Sequence, residues 1–137
     1  MNYRLLFAAA LLLTGCAQRY ATALSARTAA SPEQTFECVK LQLDSLGYKR
    51  TSIDVDEHRV SGAKIDMTAR RSDTQFRRVL HKIDVEVAPE ADGQTGVVVT
   101  ARTFAEYTTQ RGPTEVEEKA SPEVTSAAHQ LLERCRS

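Results

Sequence analysis

Val79-Leu80-His81-Lys82-Ile83-Asp84-Val85-Glu86-Val87 alternates inward and outward chemistry, and this alternation decides the fold class. A period of two puts Val79, His81, Ile83, Val85 and Val87 on one face and Lys82, Asp84 and Glu86 on the other, the pattern of a β-strand with one buried face. The same period recurs outward in both directions. Val97, Val99, Ala101 and Thr103 form a run downstream; Ala63, Ile65, Met67 and Ala69 form one upstream, with Thr51, Ile53 and Val55 before it. Turn chemistry separates the runs: Asp56-Glu57-His58, Arg71-Ser72-Asp73, and the stretch from Pro89 to Gly96 containing Asp92-Gly93. Val60 is out of phase with Ile65, which reads as a bulge at Gly62.

Helical signals flank these strands. Ser31-Pro32-Glu33-Gln34 combines a capping serine, a proline suited to the first helical position and a glutamine placed to complete a capping box. Phe36, Val39, Leu43 and Leu46 follow at spacings of three and four, and Gly47 ends the helix. Ser121-Pro122-Glu123 opens a second helix, with Val124, Ala128, Leu131 and Cys135 along one stripe. The expectation is an α+β domain in which a helix, a four-stranded antiparallel meander and a helix follow in order, with both helices on one sheet face. Residues 110–120, with Gly112-Pro113 and three glutamates, read as a returning loop long enough to be mobile, with a short edge strand added at Val116.

The N-terminus carries an address. Arg4 supplies a positive region, Leu5 to Leu13 an unbroken apolar run, and Thr14-Gly15 the small residues that precede a cut, which is the order of a signal peptide. The run is too short for a spanning helix, which needs roughly 20 apolar residues. Leu13-Thr14-Gly15-Cys16 resembles the lipobox of bacterial lipoproteins, in which the cysteine thiol is diacylated and becomes the new amino terminus. The resemblance implies lipidation at Cys16 and attachment to a membrane through acyl chains. Ala17, standing where an aspartate would favour inner-membrane retention, favours the outer membrane. The expected partition is a signal peptide at 1–15, a lipidated N-terminus and flexible tether at 16–30, and the α+β domain at 31–137. Such a tether holds the domain on the order of 20 Å from the lipid surface. The element order of the domain is also similar to the helix-grip domains of the lipoprotein accessory subunit of the outer-membrane β-barrel assembly machine.

Composition narrows the partners. Eighteen basic residues balance eighteen acidic ones, and removal of Arg4 with the signal leaves the mature chain near −1, so no global field recruits nucleic acid. With no Trp, the core must come mainly from Val, Leu, Ile and Ala. Cys38 and Cys135 remain once Cys16 carries lipid. In an oxidising compartment they are expected to form a structural disulfide, since they lack the C-x-x-C spacing of a redox pair.

Chemistry-bearing motifs are sparse. His58, His81 and His129 have no metal-ligand spacing with one another or with the cysteines, and the sequence shows no nucleophile elbow, phosphate-cradling loop or H-E-x-x-H helix. No catalytic residue, metal or cofactor is expected, and His81 reads as a half-buried histidine near a sheet end. Asp54, Asp66, Asp84 and Glu86 read as outward strand residues paired with Lys64, Lys82 and Arg102. Two surface features stand out. Arg70, Arg71, Arg77 and Arg78 flank one turn as a candidate anionic-surface site, and Leu80, Val98 and Phe104 are apolar on the outward face as a candidate partner patch. These features favour a non-catalytic binding or scaffolding module that meets another envelope protein. The alternative is a small-ligand binder or hydrolase with a pocket between helices and sheet and His81 near its mouth.

Overall fold

β5 (Thr95–Thr109) is the strand around which the sheet is organised, in a computed structural model that describes residues 20–136. The Leu13-Thr14-Gly15-Cys16 quartet, the signal segment and Cys16 lie outside the described residues. In chain order the remaining elements are β1 (Thr22–Thr28), α1 (Pro32–Ser45), β2 (Lys49–Asp54), β3 (Arg59–Asp66), β4 (Phe76–Pro89), β6 (Gly112–Glu118) and α2 (Pro122–Cys135). All pairings are antiparallel, in the order β1-β5-β4-β3-β2, with β6 also on β5.

This corrects the expected four-stranded meander: the domain is α+β, but its sheet has six strands. β5 is long enough to carry two partners end to end on one edge. β1 pairs with it from Thr95 to Ala101, and β6 from Thr103 to Thr109. The two meet where the Ala120 N–H donates to the Tyr20 carbonyl at 2.8 Å. Residues 22–28, expected to be tether, are therefore a paired strand. The stretch expected as a mobile loop contains β6, turning from β5 through Gly112 at φ 107°.

Other local expectations divide. The Ser31 capping box is formed, Gly47 takes φ 84° after α1, and Ser121 accepts the Val124 N–H at 3.2 Å at the start of α2. Gly62 is not a bulge. The irregularity lies across from it in β2, between Arg50 and Ser52, and β3 pairs with β4 in unbroken register. Gly62 is small because a Cβ there would stand 3.1 Å from Tyr48 Cβ and 3.5 Å from Leu43 Cδ2. The phase of β3 is also opposite to expectation: Val60 is buried on the helix side, whereas Ile65 and Met67 are exposed.

Both helices pack on one sheet face. Phe36, Val39 and Leu43 of α1 and Val124, Ala128 and Leu131 of α2 are buried against Ile83, Val85, Val97, Val99 and Ala101. A disulfide joins Cys38 to Cys135, linking the two helices with Cα atoms 5.7 Å apart. Among the described residues, no helix covers the opposite sheet face.

Candidate functional site

β3, β4 and the first turn of α2 bring Asp66, His81 and Glu123 together, with donor atoms all within 4.8 Å of one another. His81 is only 1% exposed, more deeply buried than its sequence setting suggested. Register explains its company. Lys64, His81 and Thr103 form one rung across β3, β4 and β5 on the helix side, and Asp66 follows one rung further on the same face. Ser121 caps α2 directly above this rung, which places Glu123 over the ring.

Each nitrogen of His81 has a distinct setting. Nδ1 lies 3.2 Å from Thr103 Oγ1 and 3.4 Å from Ser121 Oγ. Thr103 Oγ1 also accepts the Ser121 N–H at 3.0 Å. Nε2 has no hydrogen-bond partner among the described residues, although Glu123 Oε2 lies at 3.5 Å and Asp66 Oδ2 at 3.8 Å. The other oxygen of each carboxylate is engaged elsewhere. Asp66 Oδ1 accepts from the N–H and hydroxyl of Thr68 at 2.8 and 2.7 Å, and Glu123 Oε1 lies 3.7 Å from Lys64 Nζ. The Thr68 hydrogen bonds hold the Asp66 carboxyl below its ordinary range. The buried Tyr48 hydroxyl also lacks a partner among the described residues; burial, with Glu123 adding to it, pushes its pKa up to about 12.

The uncovered face differs from the sequence reading. Leu80 and Phe104 are paired across β4 and β5, but Leu80 is buried and Lys82 Nζ sits 4.5 Å above the Phe104 ring on its way to Glu115. Val98 is exposed and lies beyond Thr100 and Arg102 along the same face, so the three apolar residues do not form one patch. The arginines are not a free positive cluster either. Arg77 and Arg78 both approach the buried Glu106, at 3.4 and 3.3 Å. Arg71 forms a two-pronged pair with Glu118 and lies 3.1 Å from the Tyr107 hydroxyl, while Arg70 donates to the carbonyls of Met67 and Ala69. The Arg71 pairing keeps the Glu118 carboxyl below its ordinary range.

Of the strand carboxylates, Glu86 pairs with Arg59, Asp84 accepts from Ser61, and Arg102 reaches Glu117 at 3.9 Å. Asp66, expected outward, points to the helix side. Four hollows among the described residues open on the uncovered face or its rim, and none of the four is lined by His81. One is bordered by Arg59, Ser61, Asp84, Glu86, Val98 and Thr100; another, of about 550 Å³, lies over Ala63, Ile65 and Leu80. Among the described residues no helix is long and apolar enough to cross a membrane. No protein-family model matches the chain, and neither does any curated protein.

Sequence reasoning singled out His81 but missed its partners. Asp66 and Glu123 are separated from it by turns and by β5, so no spacing rule joins them. The available signal was the polar residue at an inward strand position.

Proposed function

We propose that the chain is a bacterial lipoprotein, anchored through acyl chains on Cys16 and facing the cell envelope from the outer membrane. Its folded domain acts as a non-catalytic binding module that offers the uncovered sheet face to another envelope protein. The lipobox-like quartet and Ala17 support the anchor and its membrane, and the Cys38–Cys135 bond suits an oxidising compartment. Two acyl chains, at about 0.8 kcal/mol per buried methylene, give stable attachment where one would be reversible.

The observation that carries the binding reading is the contrast between the two sides of the sheet. The helix side is filled by core side chains, whereas the hollows open on the side that no helix covers. A pocket between helices and sheet, which the ligand-binding or hydrolase reading needs, has no support in that packing. The uncovered face mixes the exposed Val98 and Ile65 with rows of ion pairs, a composition suited to a polar, non-obligate interface. With β1 beginning at Thr22, the stretch from Cys16 reaches at most about 20 Å at roughly 3.3–3.6 Å per residue, so an anchor at Cys16 keeps the start of the folded domain within that distance of the lipid.

In-cell crosslinking of the full-length protein followed by affinity purification tests this reading. A defined partner should be recovered with wild type, lost with Val98→Glu combined with Ile65→Lys, and retained with Leu41→Glu, which alters an exposed position on α1. Equal recovery with all three would remove the uncovered face as the binding surface. Palmitate labelling that persists in Cys16→Ser would remove the anchor.

A further inference from the structure

We propose that Asp66, His81 and Glu123 form a binding site for a divalent transition-metal ion of the zinc class. The buried Nε2 carries the argument. It has no hydrogen-bond partner among the described residues and faces two carboxylate oxygens, Glu123 Oε2 at 3.5 Å and Asp66 Oδ2 at 3.8 Å. In tetrahedral zinc sites with bonds near 2.0–2.2 Å, donors stand about 3.4 Å apart, so the two imidazole–carboxylate distances need only a few tenths of an ångström of adjustment, and the rest is a closing of the half-exposed Glu123 side chain toward Asp66. The two carboxylates lie within the same 4.8 Å cluster, and the half-exposed Glu123 leaves a solvent-facing side for a water ligand.

The surroundings orient the three donors as outer groups do in metal centres. Thr103 Oγ1 can accept a hydrogen bond from His81 Nδ1–H, and in that tautomer the Nε2 lone pair points at the ion. Thr68 holds Asp66 Oδ1 and leaves Oδ2 free, and Lys64 approaches Glu123 Oε1 while Oε2 faces the ring. The positive end of α2 opposes a cation here; two anionic ligands offset it. One imidazole and two carboxylates suit zinc, whereas calcium and magnesium prefer larger all-oxygen shells. With His81 buried and its ring held by two hydroxyls, the ion would fix α2 to β3 and β4.

The test uses the full-length protein in detergent, stripped with EDTA and titrated with zinc chloride against a chromogenic chelator. Wild type should take up one zinc per chain. Glu123→Gln and Asp66→Asn should each weaken binding about 10- to 100-fold, and X-ray absorption at the zinc edge should show one imidazole, oxygen donors and no sulfur. Glu123 is half exposed, so its variant is expected to keep the wild-type melting temperature in EDTA, which separates lost binding from lost folding. Two results would overturn the proposal: no stoichiometric uptake by wild type at micromolar zinc, or uptake unchanged in both variants, which would point to His58 or His129 as adventitious ligands.

Discussion

Removing the Cys38–Cys135 bond should cost the domain a large part of its stability. The cross-link closes a loop with a sequence separation of 97, so among the described elements β1 and the start of α1 lie outside it on the N-terminal side. If the bond acts by restricting the unfolded state, loop-closure entropy for a chain of that length corresponds to about 4.7 kcal/mol at 25 °C. Single domains have only about 5–15 kcal/mol in total. Replacing both cysteines by alanine, which avoids burying a hydroxyl at the 4% exposed Cys135, should therefore lower the melting temperature by about 15–20 °C. The assay is urea unfolding at 25 °C of the oxidised protein, the same protein in reductant, and the double variant. The variant and the reduced protein should agree, with a slope against urea steeper than that of the oxidised form, because their unfolded chains expose more surface. A loss under about 1 kcal/mol in both would refute the reasoning, since helix–helix and helix–sheet burial would then be holding the termini together unaided.

Three further outcomes are expected. Gly62→Val should destabilise by about 1–3 kcal/mol in urea melts, because its side chain would press into Tyr48 and Leu43; a neutral result would show that this wall yields. Ser121→Ala removes the hydroxyl that accepts the Val124 N–H and should cost about 1 kcal/mol, with early loss of amide protection in the first turn of α2 as the local readout. Glu118 has its folded pKa below the ordinary 4.5, so the contribution of its Arg71 pair is present above about pH 5 and lost as pH falls through the folded value. Glu118→Gln should accordingly show a shallower decline of urea midpoint between pH 7 and pH 3, and parallel declines would dismiss the pair as a source of acid sensitivity.

The parts of the fold legible in the sequence were those whose burial is strong on one face. β4 and β5 alternate cleanly because α1 and α2 cover one side of them, and both helices declare their starts through Ser-Pro capping. β1 was not legible: of its inward residues only Leu24 is large and apolar, Thr22, Ala26 and Thr28 being small or polar, and its strand conformation comes from the edge of β5 that β6 leaves open. β6 contains Pro113, which suggested a loop, yet an edge strand tolerates a residue without an N–H. β2 and the end of β3 misled for a different reason. Ile53 is exposed although it pairs with the buried Val60, Ile65 stands beside Leu80 on the uncovered face, and Met67 follows beyond the end of β3, so apolar phase no longer reports the core there.

The candidate site was only half visible because its three donors come from separate elements that only the fold brings together. Within β4, His81 looks like an isolated polar residue in the series Val79, Ile83, Val85, and an isolated exception is ordinarily absorbed by one hydrogen bond. Its register neighbours change that reading. Lys64 on one side and Thr103 on the other make the rung polar in three adjacent strands, on the face where the next rung, Gly62, Ile83 and Ala101, is closed by apolar or backbone contact. A polar rung beneath the start of a helix must have its groups satisfied by that helix, and Ser121 does so for Nδ1 and Thr103. Nε2 is left facing Asp66 and Glu123, two groups that carry negative charge toward one unpartnered nitrogen. That arrangement is unfavourable for a neutral ring presenting its lone pair and favourable as soon as a cation stands between the three donors.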